Sequence, residues 1–224
     1  MPTIAIVGAG TGLGSAVARR FGREGFAVAL VARDQARLDG LAGDLATAGV
    51  TARGYAANVR HRDALRRVLR DAADELGPIE VLQYSPVPSR DFLKPVLETT
   101  LDDLAAAVEF SILGSFTAVD AVLPAMRAAR TGTIVFVNGG TAVRPRAGYA
   151  GTSVAFAGES AYAEVLNAAL AGSGVHATQL VIPGAITPGD PARSPETIAD
   201  VIWDLHTKHE GFRHFLTPMD PPEA

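Results

Sequence analysis

The chain has no cysteine. Disulfides and thiolate metal sites are excluded, and the composition suits a reducing cytoplasm, where the protein is expected to reside. Cationic residues are not in excess either. The formal net charge is −4 at pH 7, which gives no general attraction to nucleic acid or to an anionic membrane. No uninterrupted apolar stretch reaches membrane-spanning length, and no basic segment precedes an apolar signal region. His206, His209 and His214 stand near one another in sequence without a carboxylate or cysteine set of recognised spacing, so no metal site is expected.

What the chain does contain is enough apolar material for a core. Its 224 residues are 48% hydrophobic and 20% charged, which fits one domain over residues 1–224. Helical periodicity runs through Leu38, Leu41, Ala42 and Leu45, through Leu65, Val68, Leu69, Ala72 and Leu76, through Leu101, Leu104, Ala105, Val108 and Ile112, and through Ile198, Val201, Ile202 and Leu205. Strand-like runs alternate with these helices, at residues 3–7, 27–31, 51–57, 79–84, 133–137, 175–182 and 213–217. That alternation predicts an α/β fold with a parallel sheet covered on both faces. Only the Pro-rich segment 218–224 reads as a flexible tail.

The sharpest motif is Gly8-Ala9-Gly10-Thr11-Gly12-Leu13-Gly14, directly after the first strand and opening a helix with Val17, Ala18 and Phe21 on one face. Glycines at these spacings permit a tight turn, a close approach of backbone to a pyrophosphate, and close helix–sheet packing. The helix N-terminus then offers free N–H groups to phosphate. With Gly25 as a stop and a second strand behind it, the segment is a βαβ unit of about 30 residues, and a dinucleotide is the expected ligand.

Over essentially its whole length the chain resembles the short-chain dehydrogenase/reductase family. The resemblance is carried by the glycine turn, by Asn58-Val59, by the helix Phe110 to Phe116 leading to Leu123-Pro124-Ala125-Met126, by Gly132-Thr133-Ile134-Val135, and by Pro183-Gly184-Ala185-Ile186-Thr187. It implies a Rossmann-type doubly wound sheet of seven parallel strands, a nicotinamide cofactor, a small-molecule substrate, and a homo-oligomer, dimer or tetramer. Under it, Gly8, Gly10, Thr11, Gly12, Leu13, Gly14, Arg33, Asn58, Val59, Pro183, Gly184 and Ile186 are the cofactor-binding residues. Ala32 and Arg33 follow the second strand where relatives specific for NAD carry a carboxylate, so the expected cofactor is NADP(H). Arg33 has a second reading as a solvated residue paired with Asp34. The oxygen of Asn58 can accept the adenine hydrogen bond that an aspartate takes in relatives.

Where the resemblance places the family's Asn-Ser-Tyr-Lys catalytic set, this chain has Ser111, Gly139, Thr152 and Phe156. A threonine is a far weaker acid than a phenol, and Phe156 brings neither charge nor a ribose donor, so the family's usual carbonyl reduction is not expected. Candidate catalytic residues are Tyr149, Thr152 and Ser111. Tyr149 stands seven residues before Phe156, similar to a tyrosine–lysine spacing in the enoyl reductases of the same superfamily, and Tyr84-Ser85-Pro86 points the same way. Tyr149 can equally be a packing residue. Arg90, Lys94, Arg144 and Arg146 follow the fourth and fifth strands and can clamp an anionic substrate, or simply be solvated loop cations. The loop between Pro183 and Pro195 is short for the family, which implies an open pocket or one completed by another subunit. Ala155, Ala157, Gly158, Ala161 and Ala163 let their helix pack closely on another helix, within the subunit or across an interface. Two functions follow: an NADP(H)-dependent oxidoreductase with altered catalytic residues, or a protein that keeps the cofactor fold without hydride transfer, as a non-redox isomerase or cyclase or a nucleotide-responsive binding protein.

Overall fold

The computed structural model describes residues 1–219. Seven strands form one parallel sheet: β1 (Thr3–Val7), β2 (Ala27–Ala32), β3 (Ala52–Ala56), β4 (Ile79–Tyr84), β5 (Gly132–Gly139), β6 (Val175–Ile182) and β7 (Arg213–Phe215). Their order is β3-β2-β1-β4-β5-β6-β7. The chain builds outward from β1 to β3 and then returns to β4 on the other side of β1. That reversal separates the loops after β1 and β4 and opens a crevice at the carboxyl ends of the strands. Residue pairing brings Val7 opposite Tyr84, so the turn after β1 and the loop after β4 leave the sheet side by side.

The central strands are apolar throughout because both their faces are covered. Ile4, Ala5, Ile6 and Val7 of β1 are all fully buried. On one face α1 (Leu13–Arg23), α2 (Gln35–Thr47) and α7 (Pro195–Lys208) pack through Val17, Phe21, Leu38, Leu41, Ile198 and Ile202. On the other, α3 (Arg62–Leu76), α5 (Gly114–Ala129) and α6 (Ala150–Ala169) pack through Leu65, Leu69, Val119, Met126 and Ala163. Each large side chain moved out of water here contributes about 1.5 to 3 kcal/mol before the entropy of ordering is charged against it.

One helical run predicted to be continuous is interrupted. A short helix α4 (Leu101–Val108) gives way to a π-helical segment, Glu109–Leu113, before α5 begins at Gly114. The wider turn sets Ser111 inward at 1% exposure, and such bulges are frequent at functional sites. Together the three segments form a 29-residue helix whose most apolar stretch has a mean hydropathy of 1.5 and is 44% buried. By length and composition it is apolar enough to cross a membrane, although Glu109 and Asp120 interrupt its apolar run. In this fold its apolar side chains are used against the sheet, with α5 packed on α3 and β4, and α4 on α6.

Several small residues of α6 pack within the subunit, while Ala161 is exposed. A Cβ at Gly158 would strike Ile112, one at Gly151 would strike the backbone of Phe92, and Ala155 and Ala163 are buried. Of the segment expected to be a tail, Met219 lies against Gly140, with its methyl 3.2 Å from where a Cβ would stand. Residues 220–224 lie outside the described residues.

Candidate functional site

A cleft of about 430 Å³ opens at the carboxyl end of the sheet, where β1, β4, β5 and β6 deliver their loops. Gly8, Gly10, Gly12, Leu13 and Gly14 line one side; Ser85, Pro86, Val87 and Pro88 a second; Val137, Asn138, Gly139 and Phe156 a third; Ile182, Gly184, Ile186, Pro188 and Pro195 close it. A second hollow, about 320 Å³, lies along the charged outer face of α3 between Asp63, Arg66, Arg67, Arg70 and Asp71. It shares no lining residue with the glycine turn, so the crevice at the switch point is the candidate site.

The glycines of the turn have different reasons to be glycine. Gly8 has φ +97°, and a Cβ there would stand 2.5 Å from the backbone of Pro86. A Cβ at Gly14 would come within 3.0 Å of Ala9 Cα, where helix and strand pack closely. Gly10 is unlike both. Its φ is outside the left-handed region and no atom of the chain lies within 4 Å of where its Cβ would project. The absent side chain serves only the open space of the cleft, a cradle that fits a closely approaching ligand. The start of α1 supports this. It has no side-chain cap and no acidic residue in its first turn, whereas α2, α4 and α7 begin with Asp34, Thr100 and Ser194 as caps. Uncapped N–H groups and the positive end of the helix dipole therefore face the cleft, the arrangement that receives phosphate.

The other expected cofactor residues fall around this centre. Arg33 is exposed just beyond β2. Its expected partner Asp34 is committed elsewhere: its carboxylate caps α2 by accepting from Arg37 N at 3.2 Å and meets Arg37 Nε at 3.4 Å. Among the described residues Arg33 makes no ion pair. Asn58 Oδ1 accepts from Arg60 N at 3.1 Å in a local turn, which leaves one lone pair for a further donor. Val59 is buried. Gly184 and Ile186 line the cleft, whereas Thr11, Pro183, Val59, Asn58 and Arg33 are not among its lining residues.

The expected catalytic residues are dispersed. Phe156 lies across from Gly139, its ring 4.0 Å from where a Cβ at 139 would stand, so this wall is apolar where the resemblance implied serine and lysine. Thr152 is buried, and its hydroxyl donates to the carbonyl of Tyr149 at 3.3 Å. Tyr149 precedes the first turn of α6, is 41% exposed, and is not part of the cleft lining. Tyr84 is almost fully buried, with its hydroxyl donated to Phe110 O. Of the loop cations, Lys94 is held by Asp103 at 2.8 Å; neither it nor Arg90, Arg144 or Arg146 lines the cleft.

Sequence reading overlooked a polar network directly behind the wall. Asn138 Nδ2 donates to Glu159 Oε1 at 3.1 Å, and Asn138 Oδ1 accepts from Gln179 Nε2 at 2.9 Å. Gln179 Oε1 in turn accepts from Ser160 Oγ and from Arg213 Nε, both at 2.9 Å. Glu159 is 1% exposed. Burial pushes its carboxyl up to about 8, against the opposing influence of Ser111 and Asn138. Ser111 Oγ is close enough to that carboxyl to favour its charged form, yet forms no hydrogen bond of acceptable geometry and has no other partner. A signal was present in the sequence: a lone glutamate one helical turn after Phe156, among Ala155, Ala157, Gly158, Ser160 and Ala161.

Comparison with known proteins agrees with this geometry. The family profile described as short chain dehydrogenase matches residues 2–196. A 3-dehydrosphinganine reductase of Arabidopsis thaliana is 31% identical over 190 residues, covering 82% of this chain and 55% of that protein. A 2,3-dihydro-2,3-dihydroxybenzoate dehydrogenase of Bacillus subtilis is 28% identical over 208 residues, with coverages of 92% and 74%. The chain spans about half the length of the first curated relatives it matches, 56% and 55%. Among solved structures, a short-chain dehydrogenase from Rhodopseudomonas palustris superposes with a TM-score of 0.86 at 25% identity, covering 97% of this chain and 98% of that one. With the sheet order, the glycine turn and the family match in agreement, the chain belongs to the short-chain dehydrogenase family.

Proposed function

We propose that the protein is an NADP(H)-dependent oxidoreductase acting on a small molecule with an altered catalytic set. The single observation that carries this reading is Gly10, which no backbone conformation or neighbour within the chain requires, facing the cleft beside the uncapped start of α1. The residues present fit a dinucleotide: Gly10, Gly12, Leu13 and Gly14 would hold the pyrophosphate, Arg33 the 2′-phosphate, and Gly184 and Ile186 the nicotinamide half. Bound there, the cofactor supplies a hydride or its acceptor. The chain supplies an apolar wall at Phe156 that excludes water and backbone donors at the glycine turn. No phenol–ammonium pair is available to protonate a substrate oxygen. Tyr149 is the exposed phenol nearest in sequence to the vacant tyrosine position, and Ser111 and Thr152 are the remaining hydroxyls of the set.

The reading predicts that NADPH binds more tightly than NADH. With Asp34 committed to Arg37, Arg33 is left to meet a phosphate by charge-assisted hydrogen bonds, and Arg33→Ala should remove about 1.5 to 3 kcal/mol of the preference. Calorimetry at matched salt checks it. Equal affinity for both cofactors would overturn the NADP assignment, and binding of neither would overturn the nucleotide reading.

A second reading is favoured by the Thr152 hydroxyl being turned to the Tyr149 carbonyl and by phenylalanine in place of the ribose-holding lysine. In it, the chain binds the nucleotide without transferring hydride, as an isomerase, a cyclase or a nucleotide-responsive protein. The two readings part on whether reduced cofactor is consumed when candidate carbonyl and enone substrates are supplied. A homo-oligomer in the cytoplasm completes the proposal.

A further inference from the structure

Glu159 is buried to 1% exposure and has no cationic partner among the described residues. Every element packed around it presents a neutral group. Asn138 on β5 donates to it, Ser111 in the π-helical segment faces it, and Tyr84 on β4 lies close enough for the carboxylate to raise the phenol further above its ordinary range, after burial has raised it already. On its own helix, Phe156 stands one turn before it and Ala163 one turn after. The nearest linked cation, Arg213, is bonded to Gln179 Oε1, Ser160 Oγ and Glu164, and reaches the network without touching the Glu159 carboxyl. A glutamine would meet the structural need for an acceptor opposite Asn138 without any ionisation cost. The carboxyl therefore calls for a role that uses its proton.

Asn138 connects that proton to the cleft. Its side chain bonds Glu159 on one side, and the residue lines the cleft with Val137, Gly139 and Phe156 on the other. Glu159 thus sits one side chain behind the cleft wall, shut off from solvent, where a charge entering the cleft is screened less than in water. Ser111 Oγ, itself buried and without a formed partner, stands ready to donate to the carboxylate once it forms.

We propose that Glu159 is a charge sensor for the cleft: it keeps its proton while the cleft holds nothing or a neutral ring, and releases it to solvent when the cleft that Asn138 lines receives a cationic ring such as oxidised nicotinamide. The step is an acid dissociation in which the Glu159 O–H bond breaks, the proton passes to water and no electron moves. The proposal rests on the dinucleotide reading above and goes beyond it. It couples the redox state of the bound cofactor to the charge of the protein interior, and it makes affinity for the oxidised form depend on pH more steeply than affinity for the reduced form.

Calorimetric titration of the whole chain, repeated at pH 7 in buffers of different ionisation enthalpy, counts the protons. Binding of NADP in its oxidised form should release close to one proton more than binding of NADPH; the 2′-phosphate is common to both forms and cancels in the difference. Affinity for the oxidised form should rise between pH 6 and pH 8 by as much as about tenfold per unit. Glu159→Gln should bind both forms, abolish the extra proton and remove the difference in pH dependence between them. Equal proton counts for the two forms in the wild type, or an extra proton that survives in Glu159→Gln, would overturn the sensor. Failure of both forms to bind would overturn the dinucleotide reading and the sensor together. If Glu159→Gln does not fold, carbon-13 NMR of glutamate-labelled wild type decides the matter: one neutral carboxyl resonance should persist with NADPH and vanish with the oxidised form, and its persistence with both would overturn the proposal.

Discussion

At position 156 a phenylalanine stands where the family resemblance implies an ammonium, and its effect is inseparable from two neighbours. Gly139 leaves the space in front of the ring open, with Phe156 4.0 Å from where a Cβ would stand, and Thr152 is buried with its hydroxyl satisfied locally. Catalytic groups that act as a unit are strongly non-additive. Gly139→Ser, Thr152→Tyr and Phe156→Lys made singly should therefore leave ketone reduction undetectable, whereas the triple variant should show it. Consumption of NADPH in the presence of simple ketones is the measurement. A folded triple variant that binds NADPH and reduces nothing would mean that the cleft itself does not present the ring for transfer.

At the scale of elements, the end of α7 is fastened to β5 and β6 by histidines. Thr133 Oγ1 on β5 lies 2.9 Å from His206 Nδ1 and 3.1 Å from His209 Nε2, and His176 on β6 stacks on His209 with ring centroids 5.2 Å apart. One hydroxyl can donate to only one of the two rings, so complementary neutral tautomers suit the arrangement. Burial, and then the neighbouring His209, lower His206 to about 4; burial likewise lowers His176. A folded-state value below the unfolded 6.5 means that the unfolded chain binds more protons across this interval. The stability that neutral His206 provides is thus complete above pH 6.5 and is lost as pH falls toward 4, by up to about 3 kcal/mol. The stability difference between wild type and His206→Asn, followed by urea unfolding, should shrink by that order between pH 6.5 and 4; Glu159, which works in the opposite direction, cancels in the comparison. A difference independent of pH would remove the histidine argument.

The same elements show what a sequence can disclose. The bounds expected for the first, fourth and sixth strands are those observed, because buried parallel strands are short apolar runs between turn residues. β5 extends two residues beyond its expected end to Asn138 and Gly139, since pairing with Val181 and Ile182 of β6 continues there. β7 stops at Phe215, two residues short. The π-helical turn at Ser111 left no trace in the periodicity of its apolar residues. The Asn138–Glu159–Gln179 network was equally hidden, for its members are brought together from 21 and 41 residues apart. The glycine turn was legible because its chemistry lies in consecutive residues. The dispersal of Tyr149, Thr152 and Ser111 was not, because it depends on where α6 begins and how the helix before it bulges.

For the whole molecule, the outer face of α5 and α6 is unusually apolar. Phe116 on α5 meets Tyr162 on α6 with ring centroids 5.1 Å apart, and Phe116 and Val165 are 52% and 64% exposed. Exposed aromatic and aliphatic side chains on two adjoining helices suit a self-complementary contact about a two-fold axis. Sedimentation at micromolar concentration should give a dimer or tetramer. Phe116→Glu should shift it toward monomer while cofactor affinity is kept, since neither residue belongs to the cleft. A wild-type monomer at tens of micromolar would discard the interface.

The jammed contact of Gly8 against the Pro86 backbone has a consequence for how this protein can change. Two walls of the cleft are joined main chain to main chain, so no side-chain exchange can widen the gap between them, and any insertion there would have to move two strands of the sheet. The residues from Gly184 to Arg193 have no such tether to the sheet centre; between the buried Pro183 and Ser194 they form a largely exposed segment whose length and composition can vary at little cost to the core. New substrate preferences, by natural drift or by directed selection, should accumulate in that segment, with Pro188 changing first while Gly184, Ile186 and the glycine side remain as they are.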